Sequence, residues 1–346
     1  MFSYIVMEFI LMIGLFIHTS TLPPNTNKIF DPTTRDGLSE PWIALRNEFF
    51  NKGIKLITKD EWTDQNVDFE FHINVQRKIT EKLAFMVTTE NDFTHPLNQR
   101  KFHLQKYKKV FSWSNDLVER GLATKIQLAY PLREGVIDGY SNRSQLVVLI
   151  AANKALPVLN LHNDLYSERV KAIRWFERNA PNEFALYGYD WDKSPKLPTK
   201  LGKVVHLIEK HLPWRPKWFP SWQGSLAAKQ HVLEKSRFSI VYENVRGLRG
   251  YITEKIFDAF CAGNVPVYWG ADNIFDYVPK HCFIDRKAFS SYDKLYEFLV
   301  KMPEKDYIGY QSAIKEFLAS ESAQAFSTKK FAVTIVNEVI SSIVKS

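Results

Sequence analysis

Apolar residues in this chain fall into short runs that end in polar loops, with helical spacing between many of them. Residues 9–17 form the first apolar run and predict a buried strand. A Pro-, Asn- and Thr-rich loop covers 19–37. Ser39 then caps a predicted helix, with Pro41 in its first turn, Trp42, Leu45 and Phe49 on one face, and Gly53 just past its end. Strands follow over 54–57, at the alternating Phe69, Phe71, Ile73 and Val75, and over 83–87, which runs into Thr88-Thr89-Glu90-Asn91. Further strands are expected at 110–111 and 125–130. Polar residues 138–144 read as a linker. Beyond them lie a strand over 146–150 and a helix capped by Ser167, with Val170, Ile173 and Phe176 on its apolar face. A strand over 183–187, a helix over 226–235 and three closing helices near 293–302, 307–318 and 326–344 complete the pattern. Strands alternating with helices predict doubly wound parallel sheets, and no internal repeat is visible.

The most informative stretch is 238–270. Phe238, Ile240 and Val241 open an apolar strand that ends in Tyr242-Glu243-Asn244. A loop with Gly247 and Gly250 leads to Thr253, a good N-cap, and Ile252, Ile256, Ala259 and Phe260 recur at helical spacing. Gly263 closes that helix, and Val265-Pro266-Val267-Tyr268-Trp269 is a second buried strand. A helix between two apolar strands joined by so short a turn is a βαβ unit.

The length of 346 residues suits two domains, and 45% hydrophobic with 24% charged residues is a globular composition. Aromatic residues make up 14%, with nine Trp, which suits deep cores and also a ring-binding cleft. The net charge of +8 fits an anionic ligand or a membrane surface. The basic residues are scattered, so nucleic acid is not an expected partner. Two cysteines, Cys261 and Cys282, provide neither a disulfide framework nor metal-ligand spacing. Residues 2–17 are apolar but contain Glu8. They are short for a span, which needs about 20 residues, and are read as a strand, with a signal-anchor as the alternative.

The charged residues supply the candidate chemistry. Lys255 sits in the first turn of its helix, where a cation is disfavoured by about 0.3–1 kcal/mol. Either it belongs to a solvated face with Glu254 and Asp258, or an anion occupies the helix end. Arg169 repeats the situation in the helix after the 146–150 strand, with a salt bridge to Glu168 or Glu177 as the plainer explanation. Two such cations in one half suit a diphosphate. Glu90, at the carboxyl end of a strand in the other half, is a candidate general base or a solvated loop carboxylate. Glu243 and Asn244 end a strand and can bind sugar hydroxyls or cap the loop. Asp190-Trp191-Asp192 can hold a divalent cation on a nucleotide, although so short a match arises often by chance. Trp214-Arg215-Pro216-Lys217-Trp218 can stack on a ligand, touch membrane or tuck onto the core. Motifs for phosphate-loop kinases, simple dehydrogenases, zinc proteases and serine hydrolases are missing.

Tyr242-Glu243-Asn244, then Gly250-Tyr251-Ile252-Thr253-Glu254-Lys255, then Val265-Pro266-Val267-Tyr268-Trp269-Gly270 resemble the signature of the α-1,3-fucosyltransferases, glycosyltransferase family 10. Leu165-Tyr166-Ser167-Glu168-Arg169 resembles bacterial-type members. The resemblance spans about 146–318 and is thin in the N-terminal half. It implies a GT-B fold, two Rossmann-like α/β domains facing a cleft. The corresponding domains are 1–140 for the acceptor, 141–325 for GDP-fucose, and a helix over 326–346 packing back on the N-terminal domain. The implied reaction is inverting transfer of L-fucose from GDP-β-L-fucose to a hydroxyl of N-acetylglucosamine or glucose in an oligosaccharide resembling N-acetyllactosamine or lactose. Carried over by position, Arg169 and Lys255 hold the diphosphate with Tyr251 nearby, Glu254 meets the ribose, Glu243 and Asn244 line the donor pocket, and Glu90 is the general base. No metal is required, though Mn2+ or Mg2+ stimulates some members. Arg246 and Arg249 depart from many members. Few cysteines fit a cytoplasmic or peripheral-membrane enzyme of bacterial or viral type better than a disulfide-braced Golgi enzyme anchored through residues 2–17. Two alternatives are a related transferase using another nucleotide sugar and a non-catalytic glycan-binding module.

Overall fold

The computed structural model describes residues 12–19, 23–81, 83–157, 160, 162–196 and 217–344. Their contacts form two compact units: the described residues up to Pro131 together with those from Ala325 onward, and Leu132–Gln324.

The first unit holds a six-stranded parallel sheet: β1 Met12–Ile17, β2 Ile54–Thr58, β3 Phe69–Ile73, β4 Ala84–Val87, β5 Lys109–Ser112 and β6 Thr124–Lys125, in the order β2-β1-β3-β4-β5-β6. The expected first strand is present from Met12; residues 9–11 lie outside the described residues. β6 is shorter than the expected 125–130 run, which continues only to an isolated bridge between Tyr130 and Ser327. Helices α1 (Glu40–Asn51) and the terminal Thr328–Val344 cover one face, with Trp42 edge-on to Phe331 at 5.8 Å. Phe16, Phe49, Phe69, Phe71, Phe85 and Phe111 are fully buried there with Ile335 and Val339. Each such Phe contributes about 1.5–3 kcal/mol through burial. Gly14 makes the packing feasible, because a Cβ there would lie 2.5 Å from Phe69 Cζ.

The strand expected from the alternation over 69–75 is present, and every residue of β3 is buried, Glu70 and His72 included. Its polar positions satisfy each other. His72 Nε2 lies 2.7 Å from Glu70 Oε2, and His72 Nδ1 lies 3.0 Å from the Tyr107 hydroxyl. Thr80 closes the second Glu70 oxygen. Buried polar groups are tolerated when their partners are complete.

The second unit holds β7 Gln145–Ile150, β8 Phe184–Tyr187, β9 Ser236–Tyr242, β10 Val265–Trp269 and β11 Ile284–Asp285, parallel and in the order β11-β10-β9-β7-β8. Its longer helices are α2 (Tyr166–Asn179), α3 (Glu254–Cys261), α4 (Tyr292–Lys301) and α5 (Glu304–Ala319); the terminal helix of the first unit is α6. The helix expected over 226–235 is confined to Gln230–Glu234. Counting strands from the start of each unit, the first sheet follows the order 2-1-3-4-5-6 and the second 2-1-3-4-5. Each is therefore doubly wound with a switch point between its first and third strands.

The polar stretch 138–144 is no loose linker. Arg143 is completely buried. It donates to the carbonyls of Leu233 (2.9 Å), Ser236 (2.8 Å) and Ala262 (2.6 Å) and to Asp138 Oδ1 (2.8 Å). The change of unit therefore falls at Leu132, ahead of the expected residue 140. Asp138 and Gly139 N–H groups donate to Gln311 Oε1, inside the second unit. None of the described helices is long and apolar enough to cross a membrane.

Candidate functional site

The candidate site of the second unit stands at its switch point, where β7 and β9 end side by side. Open parallel sheets bind ligands beyond the carboxyl ends of their strands at this place. β9 delivers Tyr242, Glu243 and Asn244 there, and α2 and α3 point their first turns toward the same tripeptide.

α2 begins at Tyr166 because the Asp164 carboxylate accepts from the N–H groups of Tyr166 (2.9 Å) and Ser167 (3.3 Å). The capping side chain is Asp164; Ser167 lies inside the helix. Arg169 is buried, and its Nη2 donates to the carbonyls of Tyr242 (2.6 Å) and Glu243 (2.8 Å) and to Asn244 Oδ1 (3.1 Å). Its guanidinium carbon sits 4.8 Å from the centre of the Tyr166 ring. The expected local salt bridge is absent among the described residues, since Glu168 pairs with Lys171 and Glu177 with Arg174. Among the described residues Arg169 Nε and Nη1 meet no acceptor. Burial lowers the Arg169 pKa, opposed by Tyr166 and Glu243.

Thr253 occupies the N-cap position of α3, but its hydroxyl does not cap. It donates instead to Glu243 Oε2 at 2.6 Å, while its N–H donates to Glu243 Oε1 at 2.8 Å. Lys255 Nζ reaches Thr253 Oγ1 (2.8 Å), Glu243 Oε2 (3.3 Å) and Glu254 Oε1 (3.6 Å). Burial would lower the Lys255 pKa, but Glu254 and Glu243 outweigh it and the pKa rises. The Glu254 pKa falls to about 2: burial pushes it up, and Lys255 and Lys229 push it down further. Glu254 is thus a partly exposed, ionised acceptor at neutral pH. Asn244 Nδ2 donates to the buried Tyr251 hydroxyl at 3.3 Å. Glu243 itself has no exposure, and Gly270 must pack against it, since a Cβ there would come within 2.4 Å of Glu243 Cγ. Arg169, Glu243, Asn244, Tyr251, Glu254 and Lys255 therefore form one connected cluster.

Sequence reasoning missed three neighbours. Thr253 is a network member rather than a cap. Trp269, at the end of β10, carries Arg246 over its ring at 4.9 Å and Arg286 at 5.7 Å. Arg286 follows β11 directly, so the strand-end rule that found Glu243 could have found it. Arg246 Nε donates to the His162 carbonyl at 2.5 Å, whereas Arg249 is exposed. Asp190 pairs with Lys193, and Trp191 is buried with its indole N–H on the Ala151 carbonyl at 2.6 Å. Among the described residues no group of three or more His, Cys, Asp or Glu is arranged to hold a metal. Trp214, Arg215 and Pro216 lie outside the described residues.

In the first unit, Glu90 follows β4 at the carboxyl edge of the sheet. Its N–H donates to Asn74 Oδ1 at 3.2 Å, and its carbonyl accepts from Asn98 Nδ2 at 3.3 Å. A cavity of about 840 Å³ in the same unit is lined by Ile17, Trp62, Gln76, Arg77, Thr94 and His95 among others.

Residues 215–334 match the model of glycosyltransferase family 10 (fucosyltransferase), C-terminal part. The matched segment makes up about a third of this chain. It contains all of the cluster except Arg169. An alpha-(1,4)-fucosyltransferase of Arabidopsis thaliana is 36% identical over 74 residues, 21% of this chain and 18% of that protein. The alpha-(1,3)-fucosyltransferase FucT of Helicobacter pylori is 33% identical over 72 residues, 20% of this chain and 15% of that protein. The chain thus matches less than a fifth of the length of either relative. An alpha-glucosyltransferase solved with UDP and a 13-mer DNA superposes with a TM-score of 0.53 at 10% identity, over 95% of this chain and 100% of that one. That likeness concerns the fold alone, a GT-B fold with two Rossmann-like units.

Proposed function

We propose that the protein is an inverting fucosyltransferase that moves L-fucose from GDP-β-L-fucose to a hydroxyl of N-acetylglucosamine or glucose in a glycan, with α-1,3 linkage. The observation that carries this reading is the cluster on Tyr242, Glu243 and Asn244, embedded in the family 10 segment. Its composition suits a nucleoside diphosphate. The Arg169 guanidinium offers the nitrogens that the fold leaves unused, and Lys255 offers a strongly retained charge. Glu254, held ionised, accepts hydroxyl donors such as those of a ribose. Asn244 and Glu243 shape the donor pocket, with Tyr251 bracing Asn244.

In the proposed reaction the acceptor oxygen attacks fucose C1 on the face opposite the diphosphate. The C1–O bond to phosphate breaks and its electron pair departs on GDP. Positive charge develops on the sugar and negative charge on the leaving group, so Arg169, Lys255 and the first turn of α3 stabilise the transition state electrostatically. Glu90 takes the acceptor proton as general base, as in inverting glycosidases. These groups supply the charges the step needs without a metal ion; Mn2+ or Mg2+ would act on the diphosphate as a stimulant. The partners are the donor and an N-acetyllactosamine- or lactose-like acceptor, with peripheral contact to a membrane.

A mass-spectrometric transfer assay tests this. GDP-fucose with N-acetyllactosamine or lactose should give a product heavier by one deoxyhexose, with and without chelator. Glu90→Ala should lower turnover by about 10²–10⁴-fold, the usual weight of a positioned base. Product with a UDP-sugar but none with GDP-fucose would assign a different donor. Glycan binding without transfer or GDP binding would make the chain a recognition module.

A further inference from the structure

We propose that Asn74 and Asn98 are positioning residues for Glu90, a pair of buried amides that fixes the peptide units on both sides of it; this rests on the reading of Glu90 as the base. Asn74 directly follows β3, at the switch point of the first unit, and Asn98 comes from the short helical turn Pro96–Gln99. They are 6% and 1% exposed. Asn74 Oδ1 accepts three N–H groups: Thr89 at 2.9 Å, Glu90 at 3.2 Å and Asn98 Nδ2 at 2.8 Å. Its Nδ2 donates to Thr89 Oγ1 at 3.0 Å. Asn98 Nδ2 also donates to the Glu90 carbonyl at 3.3 Å, and Asn98 Oδ1 accepts from Val75 N–H at 3.0 Å. Glu90 is thereby gripped at its N–H and at its C=O by side chains anchored to β3. From the other side, Thr88 N–H donates to Phe111 O at 2.9 Å and Thr88 Oγ1 meets Ser112 Oγ at 2.7 Å.

The backbone of Asn74 explains why the choice of residue is informative. Its φ is 59°, the left-handed region. Glycine meets that demand at no steric cost, and asparagine is the next best tolerated residue. A turn that needed only the backbone shape would be served best by glycine. Asparagine adds the amide, and every atom of that amide is spent on the Glu90 loop or on its partner Asn98. A base must sit within hydrogen-bond reach of the proton it takes, and a displacement of about 1 Å can cost ~10²-fold in rate.

The test compares Asn74→Gly, Asn74→Asp and Asn98→Ala with Glu90→Ala in the GDP-fucose and N-acetyllactosamine transfer assay. Melting temperature and calorimetric GDP affinity are measured on each full-length variant. Asn74→Gly keeps the left-handed turn and deletes the amide; it should lower kcat by about 10–100-fold while KM for both substrates stays within about twofold. Asn74→Asp keeps the accepting oxygen for Thr89 and Glu90 and should retain more turnover than Asn74→Gly. A purely structural role predicts the reverse order, with glycine equal to the parent. Asn98→Ala should reproduce the kcat loss and provides the answer if Asn74→Gly fails to fold. Parental kcat in both Asn74→Gly and Asn98→Ala, alongside a crippled Glu90→Ala, overturns the inference. Parental turnover in Glu90→Ala overturns the reading of the base instead.

Discussion

Lys255 lies in the first turn of α3, with Glu254 beside it and Glu243 just past the end of the preceding strand. At the start of α3 a cation is unfavourable, and position alone leaves two readings open, a solvated face with Glu254 and Asp258 or a bound anion. In the folded chain two carboxylates already supply the opposing charge, Glu254 and the buried Glu243. The position alone therefore does not require a ligand; the shape and composition of the whole cluster carry that argument. Glu243 was legible because it ends an apolar strand. Its partnership with Thr253 was not, because a threonine before a helix reads as a cap and nothing in the local pattern shows its hydroxyl turned to a strand ten residues earlier. Asp92 gives a separate prediction. Burial raises its pKa to about 6, against the hydrogen bond from Gln99 at 2.5 Å and with a further push from Asp116. A carboxyl group whose folded pKa exceeds its unfolded value of 3.8 costs stability as pH rises through that window, and the cost is complete above about 6. Asp92→Asn should raise stability by about 1–3 kcal/mol at pH 7.5 and by nothing near pH 3, read from urea midpoints across that range. A gain independent of pH would contradict the assigned cause.

Elements were legible where burial is expressed as an apolar run. β1, β4, β7, β9 and β10 all appear in the pattern because strands of a parallel sheet are covered on both faces. β3 was placed correctly, but the pairing of Glu70 with His72 was not legible, because nothing in a local pattern shows that two polar residues are buried as each other's partners. The segment around Arg143 was the clearest misreading. Polar spacing suggested a linker, whereas the arginine joins the end of the Gln230–Glu234 helix, the start of β9 and the end of α3 through backbone carbonyls. Buried charge is rare enough that no sequence pattern announces it. Arg143→Ala leaves those carbonyls and Asp138 without their donor and should cost about 3–5 kcal/mol, as removal of one member of a buried ionic network does. Thermal unfolding monitored by circular dichroism checks it; a melting temperature unchanged from the parent would mean the clamp is dispensable.

At the scale of the whole molecule, the α/β alternation and the number of residues already implied two doubly wound units. What they could not show was that both sheets share the order 2-1-3-4-5 over their first five strands, since order depends on which strands pair and not on where they lie in the chain. The unit boundary was displaced for the same reason: Leu132 onward joins the second unit through contacts with Gln311, far along the chain. The terminal helix α6 returns to the first unit, where its apolar face covers the phenylalanine core.

A nucleoside diphosphate site around Glu243 must bind GDP, and titration calorimetry of GDP into the protein measures that binding. The predicted result is saturable 1:1 binding that weakens about 10–100-fold in Lys255→Ala, the loss of one or two charge-assisted hydrogen bonds to phosphate. A folded protein that takes up no GDP, or a Lys255→Ala variant that binds it as tightly as the parent, would mean that the Glu243 cluster is not a diphosphate site.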